Sequence, residues 1–391
     1  MTTNLSRFAW SVGMGIALAW AGIKAALPAD AASPKPSATD TSKPKYIFYP
    51  PAPAPPRLQF LVSVSGEADF GPTQSKFAKF LVGKEPAQRR IIKPYGMAFW
   101  DGKLLVCDTQ RHGLDVLDFG KNRFSYYGDM DDKPLLTPIN ITIDRDGTRY
   151  IADRGYNQVL VYGTNDRLQA TIGDPPSTVQ PDLERPAFAE SGPGGFTNKF
   201  WPTDVAVSSN RLYVADLNNN CVRVFDKASR EYRFKVPRDP QDEASRLFGP
   251  VNLALDKAGN LYVSDLGGFC VKKYDADGAY LQTFGRLGDR PGQFARPKGM
   301  ALDREGRLYV VDAVHEVVVV FDAQGRVLTF FGEPRGSPAP LSLPAKVIID
   351  YDHVGLFQKY AAPGFKLEYL VIVSNQLGNR KVSVYGYGQK L

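Results

Sequence analysis

The chain has few residues of the kinds that most often carry chemistry: of 391 residues, three are cysteine and three are histidine. Three cysteines, an odd number, do not make a disulfide framework. We expect Cys107, Cys221 and Cys270 to be small, buried and unpaired, since free cysteine is among the most buried residue types. No C-x-x-C-H sequence attaches a haem. No G-x-S-x-G, P-loop or dinucleotide-binding fingerprint is present either.

The three histidines do not favour a histidine-ligated zinc site. Such a site needs several histidine side chains that converge on one ion. His112 and His315 are predicted to lie in loops on one face of the fold, in units that are not adjacent, and His353 in a loop on the opposite face. A site with two histidines and carboxylates, and a site made of carboxylates, stay open as alternatives.

The chain contains instead a sequence repeat, which begins at Pro250 and again at Pro297, about 47 residues later. Each copy holds four short apolar runs, separated by turn dipeptides such as Asp146-Gly147 that supply the positive φ of tight hairpins. Four strands in each copy are typical of one β-propeller blade. Leading prolines predict six blades: Pro94, Pro138, Pro202, Pro250, Pro297 and Pro344.

The sixth copy is irregular and predicts how the ring closes. Its second strand follows an insertion at roughly 351–368, Asn375 stands where the other blades have aspartate, and no fourth strand follows Tyr385. Residues 58–66 have the pattern of a fourth strand. We predict that they complete the last blade, because an open ring would leave unpaired strand edges.

The pattern P-x-x-[apolar]-A-[apolar]-D-x-x-G-x-L-Y-V-x-D, followed by N-x-x-V-x-V-F-D-x-x-G and F-G, resembles the NHL repeat over residues 57–391. The chain departs from that family at the usual basic position, where it has Gly113, Cys221 and Cys270. The resemblance implies an all-β, six-bladed propeller. Some NHL-type propellers are zinc lyases that amidate peptides, others bind RNA, and six-bladed relatives include metal-dependent lactonases. The resemblance therefore implies a scaffold rather than one activity.

An aspartate ends the second strand of five blades. These residues are Asp108, Asp153, Asp216, Asp265 and Asp312. They could form a crown of metal ligands, or each could accept backbone N–H groups of the turn that follows it. Repetition in five blades favours the second interpretation, because a unique site does not need one copy in each blade.

The N-terminus predicts export. Residues 1–31 combine Arg7, an apolar run at 8–23 and a small-x-small sequence at 29–31, which together are typical of a secretory signal peptide. An uncleaved anchor is the alternative, although a membrane span needs about 20 apolar residues. We therefore expect the protein in the periplasm, in the cell envelope or outside the cell.

Residues 32–56 are rich in proline, alanine, serine and lysine and predict an extended linker before the propeller at 57–391. Three aromatic residues, Tyr46, Phe48 and Tyr49, lie near its end. They could dock on the propeller or form a short adhesive patch.

Two long connections, 66–93 and 174–200, predict where binding occurs, since long loops on a rigid scaffold often carry it. The first is predicted to contain a short amphipathic helix at 75–83, followed by a basic cluster. The candidate binding residues are predicted to share one face: Lys76, Lys79, Lys84, Arg89, Arg90, Lys93, Arg111, His112, Arg154 and Trp201. Alternatively, the helix covers the channel mouth and the bases are only solvated.

The formal net charge of +7 suits an acidic partner, or serves only solubility. Nucleic acid is not expected, because exported proteins rarely meet RNA and no stacking-aromatic motif is present. We predict a binding or assembly module without a cofactor, which binds an envelope protein or an acidic surface. It would contact a membrane only through an uncleaved N-terminal segment. The alternative is a hydrolase or lyase that uses a divalent metal ion in the central channel.

Overall fold

The computed structural model describes residues 46–51, 53–71, 88–127, 133–173, 199–239, 241–332 and 339–390. Within these residues the chain forms six antiparallel sheets, five of four strands and one of five strands. Each sheet is one blade, so the predicted all-β propeller with six blades is confirmed.

The strands are numbered in chain order. The N-terminal pair is β1 (Ile47–Tyr49) and β2 (Leu58–Val64). Blade 1 contains β3 (Pro94–Trp100), β4 (Lys103–Asp108), β5 (Gly113–Asp118) and β6 (Arg123–Tyr127). Blade 2 contains β7 (Pro138–Ile143), β8 (Arg149–Asp153), β9 (Gln158–Tyr162) and β10 (Leu168–Ile172). Blade 3 contains β11 (Pro202–Val207), β12 (Arg211–Asp216), β13 (Cys221–Asp226) and β14 (Tyr232–Val236).

The remaining blades follow the same order. Blade 4 contains β15 (Pro250–Leu255), β16 (Leu261–Asp265), β17 (Cys270–Tyr274) and β18 (Tyr280–Phe284). Blade 5 contains β19 (Pro297–Leu302), β20 (Leu308–Asp312), β21 (Val317–Phe321) and β22 (Val327–Phe331). Blade 6 contains β23 (Pro344–Asp350), β24 (Phe365–Asn375) and β25 (Val382–Lys390). Its insertion holds a one-turn helix, α1 (Val354–Phe357), and a 3₁₀ turn, Gln358–Tyr360; two further 3₁₀ turns are Glu67–Asp69 and Leu217–Asn219.

The N-terminal strands complete blade 6, as the sequence predicted. The sheet order is β1-β2-β25-β24-β23, and β2 pairs antiparallel with β25 from Leu58–Tyr387 to Val64–Val382. β2 thereby occupies the place of the missing fourth strand. The two ends of the propeller are joined in one sheet, which covers the strand edges that an open ring would expose.

β1 adds a fifth strand, which lies within the segment expected to be a linker. Its aromatic residues dock on the propeller: the Phe48 and Phe365 ring centroids are 5.2 Å apart, and those of Tyr49 and Phe331 are 6.1 Å apart. Tyr49 is buried in the apolar cluster between blades 5 and 6. Of the two alternatives for these aromatics, the structure has the docked one for Phe48 and Tyr49.

The apolar cores lie between neighbouring blades. The cluster between blades 3 and 4, for example, joins Val222 and Val224 with Leu253, Leu261 and Val263. Successive side chains of a strand point to opposite faces of its sheet, and the inner strands have apolar residues on both faces. Each blade can therefore bury both faces against its neighbours. The three cysteines are free and buried, as predicted. In the described part of the chain, no helix is long and apolar enough to cross a membrane.

Candidate functional site

The described parts of the connections that carry the predicted binding residues lie on one face of the ring. In each of three blades, a backbone hydrogen bond joins the loop between the second and third strands to the connection that precedes the first strand. Thr109 donates to the carbonyl of Lys93 (3.1 Å) in blade 1, and Arg154 donates to that of Thr137 (3.0 Å) in blade 2. Leu217 donates to the carbonyl of Trp201 (3.1 Å) in blade 3. We call this side of the ring the basic face.

The aspartates at the ends of the second strands hold these connections in place. Asp108 accepts the N–H groups of Ile92 (2.6 Å) and Lys93 (3.1 Å), and that of Gln110 (3.0 Å) in the turn after it. The other four aspartates also accept backbone N–H groups. Backbone bonding is therefore their role in the structure, and it reaches the connection before the blade as well as the following turn.

Three predicted residues, Arg89, Arg111 and His112, line one cavity of about 620 Å³ between blades 1 and 2. The other lining residues are Tyr126, Tyr127, Pro134, Leu135 and Leu136. The Arg89 guanidinium carbon lies 5.8 Å from the Tyr126 ring centroid, and the imidazole Nδ1 of His112 contacts the carbonyl of Leu136. The cavity, here called the basic pocket, thus combines two guanidinium groups with aromatic and apolar walls.

Arg111 is the more enclosed base of the pocket. Its Nε is buried and has no hydrogen-bond acceptor among the described residues. Within the same residues, no carboxylate forms an ion pair with Arg89 or Arg111. A buried donor without an acceptor costs free energy, so this pocket is suited to a ligand that supplies oxygen acceptors.

An acid pair lies beside the basic pocket, and the sequence did not predict it. Asp115 pairs with Tyr126 across β5 and β6 and is completely buried. Burial and the neighbouring Asp108 raise the pKa of Asp115 to about 8, against the opposing effect of Arg111 and Arg89. Asp115 is therefore protonated at neutral pH, and the positive charge of the pocket is retained.

The register of the blades identifies what is unusual about Asp115. Its equivalents in blades 3 and 4 are basic residues, Arg223 and Lys272. Arg223 donates from Nε to Asp216 (2.7 Å). In blade 1, the neighbour of the strand-ending Asp108 is instead a second acid, Asp115. The equivalents in blades 2 and 5 are the apolar residues Leu160 and Val319, so the sequence pattern of the third strands does not reveal the acid pair.

We expect Asp115→Asn to stabilise the protein at pH ~8 and to have a smaller effect at pH ~5. The pKa is about 8 in the folded chain and about 4 in an unfolded chain. The stabilisation by the protonated carboxyl is thus complete below about pH 4 and is lost as pH rises through about 8. Asparagine cannot ionise and has nearly the same shape as the protonated carboxyl. Thermal melts across this range would measure the difference.

The matched control for this substitution is Asp101→Asn, in an exposed turn on the opposite face. It should change the melting temperature little at any pH, since exposed ion pairs contribute little. If Asp115→Asn melts with the same pH dependence as the parent, the pKa of Asp115 is not raised by burial and by Asp108.

The other predicted residues lie around the basic pocket or outside the described residues. The Arg154 guanidinium carbon lies 5.1 Å from the Trp201 ring centroid. Its neighbour Gly155 lies against Leu136 of the pocket. Arg90 is exposed, and Lys93 is partly buried directly before the first strand of blade 1. Lys76, Lys79 and Lys84, with the helix predicted at 75–83, lie outside the described residues.

The histidines do not converge. His315 Nδ1 lies 2.7 Å from Asp312 Oδ2 in blade 5. His353 Nδ1 lies 2.9 Å from Asp350 Oδ2 on the opposite face, where the imidazole stacks on Phe99 with the ring centroids 4.5 Å apart. Among the residues that the structure describes, no group of three or more His, Cys, Asp or Glu side chains could hold a metal ion.

The central channel contains an ion pair between opposite blades. In every blade the first strand has a β-bulge near its start, and bulges re-aim side chains. Lys346 Nζ of blade 6 lies 3.3 Å from Asp204 Oδ2 of blade 3, and both residues are buried. Asp204 also accepts from Asn252 Nδ2 (2.5 Å) and from the Leu253 N–H (2.8 Å). Burial raises the pKa of Asp204, and Lys346 opposes that effect.

Comparison with known proteins agrees with this architecture. The NHL repeat family matches residues 201–225, within blade 3. NHL repeat-containing protein 2 of Bos taurus is 35% identical over 102 residues, which are 26% of this chain and 13% of that protein. The Homo sapiens protein of that name is 34% identical over 102 residues, with the same shares of 26% and 13%. This chain thus matches only 13% of the length of these curated relatives.

Two solved structures have a similar fold. A protein of unknown function from Bacteroides thetaiotaomicron has a TM-score of 0.55 and 18% identity, covering 84% of this chain and 75% of that chain. A gluconolactonase from Xanthomonas campestris has a TM-score of 0.52 and 12% identity, covering 86% of this chain and 99% of that chain. At these identities the likeness concerns the fold alone. The chain is therefore a six-bladed β-propeller in which residues 201–225 of blade 3 match the NHL repeat.

Proposed function

We propose that this propeller is an exported binding or assembly module of the cell envelope, and that its basic face binds an acidic partner. The observation that carries the proposal is the basic pocket, in which Arg89 and Arg111 have no carboxylate partner among the described residues. Export is inferred from the N-terminal sequence. The partner would be a protein or surface that presents carboxylates.

Electrostatics supports a partner with several acidic groups rather than one. A single exposed ion pair is worth about 0.2–1 kcal/mol. Arg89, Arg90 and Arg154 are exposed, so each would contribute little alone. Arg111 is more enclosed, and a charge-assisted hydrogen bond to its guanidinium would be stronger. The aromatic rings of Tyr126 and Trp201 add flat surfaces of the kind enriched in protein interfaces.

We predict that reversing Arg89 and Arg90 to Glu weakens binding to immobilised poly-L-glutamate by roughly 2- to 30-fold, because two weak contacts are lost. Binding of the parent protein should also fall with added salt, since exposed charges are screened over about 10 Å at moderate ionic strength. The melting temperature should change little. The measurement is surface binding at two salt concentrations, repeated with acidic proteins of the envelope fraction.

The matched control reverses Arg145 and Arg167, two exposed arginines in turns on the opposite face. It makes the same change in net charge and should leave poly-L-glutamate binding nearly unchanged. Binding that survives both the Arg89 and Arg90 reversal and high salt would place the interaction elsewhere, for example on the 351–368 insertion of the opposite face.

The alternative function is a metal-dependent hydrolase or lyase, lactonase-like or amidating-lyase-like, with its site in the central channel. One observation favours it: Asn140, Asp204 and Asn252 lie at one position of three consecutive first strands, and their oxygen atoms are ligands that Ca²⁺ accepts. The described residues do not fit a bound cation, however, because the Lys346 ammonium already lies against Asp204. Elemental analysis of the purified protein distinguishes the two functions: one tight equivalent of zinc or calcium would favour the enzyme.

A further inference from the structure

The mouth of the central channel on the basic face contains a cluster of positive charge. Lys298 is the second residue of β19, inside the bulge of blade 5. The other five blades have uncharged residues at this position: Tyr95, Ile139, Thr203, Val251 and Ala345. Two further bases, Lys93 and Arg296, immediately precede the first strands of blades 1 and 5. We call Lys93, Arg296 and Lys298 the channel-mouth cluster.

Lys298 is buried and has no carboxylate partner among the residues that the structure describes. The residue is 6% exposed, and its Nζ donates to Gln376 Oε1 at 3.0 Å. Nζ lies 5.5 Å from the Tyr95 ring centroid. Burial and, to a smaller extent, the like charges of Arg296 and Lys93 together lower the pKa of Lys298 to about 8. The charged neighbours that lower this pKa are therefore both cations.

The other buried lysines of the propeller are better satisfied. Lys346 has the carboxylate of Asp204. Lys272 donates to the carbonyls of Ala244 (2.7 Å) and Arg246 (2.5 Å). An ammonium has three N–H donors, and within the described residues Lys298 uses one of them on an oxygen acceptor. Two donors at the channel mouth thus have no oxygen partner in the described part of the protein.

We propose that the channel-mouth cluster binds a small oxyanion, a carboxylate or a phosphate, which accepts hydrogen bonds from the ammonium of Lys298 and interacts with Arg296 and Lys93. A buried cation beside two like charges is costly unless an anion joins it. This site is separate from the basic pocket, since it uses none of Arg89, Arg111 and His112. The oxyanion is either free in solution or an acidic side chain of the partner on the same face.

The test is titration calorimetry of the full chain at pH ~8 with inorganic phosphate and, separately, with succinate, in two buffers of different ionisation enthalpy. Because the pKa of Lys298 is about 8, about half of the ammonium has lost its proton at this pH. Binding should therefore take up about half a proton per site. Lys298→Met should abolish saturable binding. Lys298→Arg should keep binding but take up no proton, because arginine stays charged.

Three results would overturn the proposal: no saturable binding of either anion, unchanged binding in Lys298→Met, or the same proton uptake in Lys298→Arg as in the parent. A thermal melt confirms that each variant is folded. Reversal of Arg89 and Arg90 should leave anion binding intact, which separates this site from the proposed function. If Lys298→Met also weakens poly-L-glutamate binding, the carboxylate comes from the partner; if that binding is unchanged, the site takes a free anion.

Discussion

Deletion of residues 45–66 is expected to abolish cooperative unfolding of the propeller. The deletion removes β1 and β2, which form two of the five strands of blade 6. It leaves β25 with an unpaired edge and opens the ring between blades 6 and 1. It also removes Leu58 and Val64, which are buried in two different apolar clusters. Thermal and denaturant unfolding, followed by circular dichroism, would measure the loss.

Two further variants determine which strand closes the ring. Deletion of 45–56 removes β1 but keeps β2, so we expect a lower melting temperature with cooperativity retained. The cost should come mainly from Tyr49, since loss of a large buried aromatic side chain costs about 3–5 kcal/mol. Deletion of 32–44 keeps both strands and should melt like the full chain. If the variant that lacks residues 45–66 melts like the parent, the N-terminal strands do not close the ring.

Strand replacement provides an independent check. A synthetic peptide with the sequence of residues 45–66 should restore a cooperative transition to the truncated protein, because β2 pairs with β25 along its length. The same peptide with Phe60 replaced by Asp should restore less, since the Phe60 and Tyr385 ring centroids lie 5.5 Å apart. No recovery with either peptide would mean that closure must form during folding of the intact chain.

Asp204→Ala is expected to cause the largest loss of stability of any single substitution in the channel. It leaves the Lys346 ammonium buried beside an empty space. Removing one partner of a buried ion pair costs about 3–5 kcal/mol, because the remaining charge has no compensation. The N–H of Leu253 and the Asn252 amide would also lose their common acceptor. Urea unfolding of the variant, compared with the parent, measures this cost.

The matched double variant separates the charge from the shape. Asp204→Leu with Lys346→Met replaces both charged groups by apolar ones, and such replacements are often neutral or stabilising. We therefore expect it to recover the part of the lost stability that comes from the uncompensated charge, while the Asn252 amide and the Leu253 N–H stay without their acceptor. As an exposed control, Arg326→Ala breaks the ion pair with Asp322 and should cost less than about 1 kcal/mol. If Asp204→Ala costs no more than this control, the trans-channel pair does not stabilise the ring.

The repeat made the fold predictable from the sequence. Each copy begins with proline, alternates along its strands and turns at residues such as Gly147 and Gly306, which have φ of +86° and +79°. These are local preferences, and six copies reinforce one another. The closing strand was also predictable, because a pattern missing after Tyr385 is present at 58–66. β1 was not, since three residues in a proline-rich segment carry too little periodicity.

The candidate site was predictable only in part. Loop positions follow from the repeat, so Arg111, His112 and Arg154 could be assigned to one face. The acid pair of Asp108 and Asp115 could not be predicted without the register of β4 and β5. Lys298 and Lys346, the cations of the channel, lie on first strands whose other residues are mostly apolar. Their burial follows only from closure of the ring.

The number of blades, the turns, the burial of the cysteines and the strand that closes the ring could all be derived from the sequence, because they depend on local pattern and its repetition. Which charges pair with one another depends on the folded ring. Asp204 and Lys346 are 142 residues apart in sequence and 3.3 Å apart across the channel. For the same reason, the charged neighbours that lower the pKa of Lys298 are the cations Arg296 and Lys93. Closure of the ring places the same position of each first strand around one channel. Which charges pair there depends on residues far apart in the sequence, and no local pattern relates them.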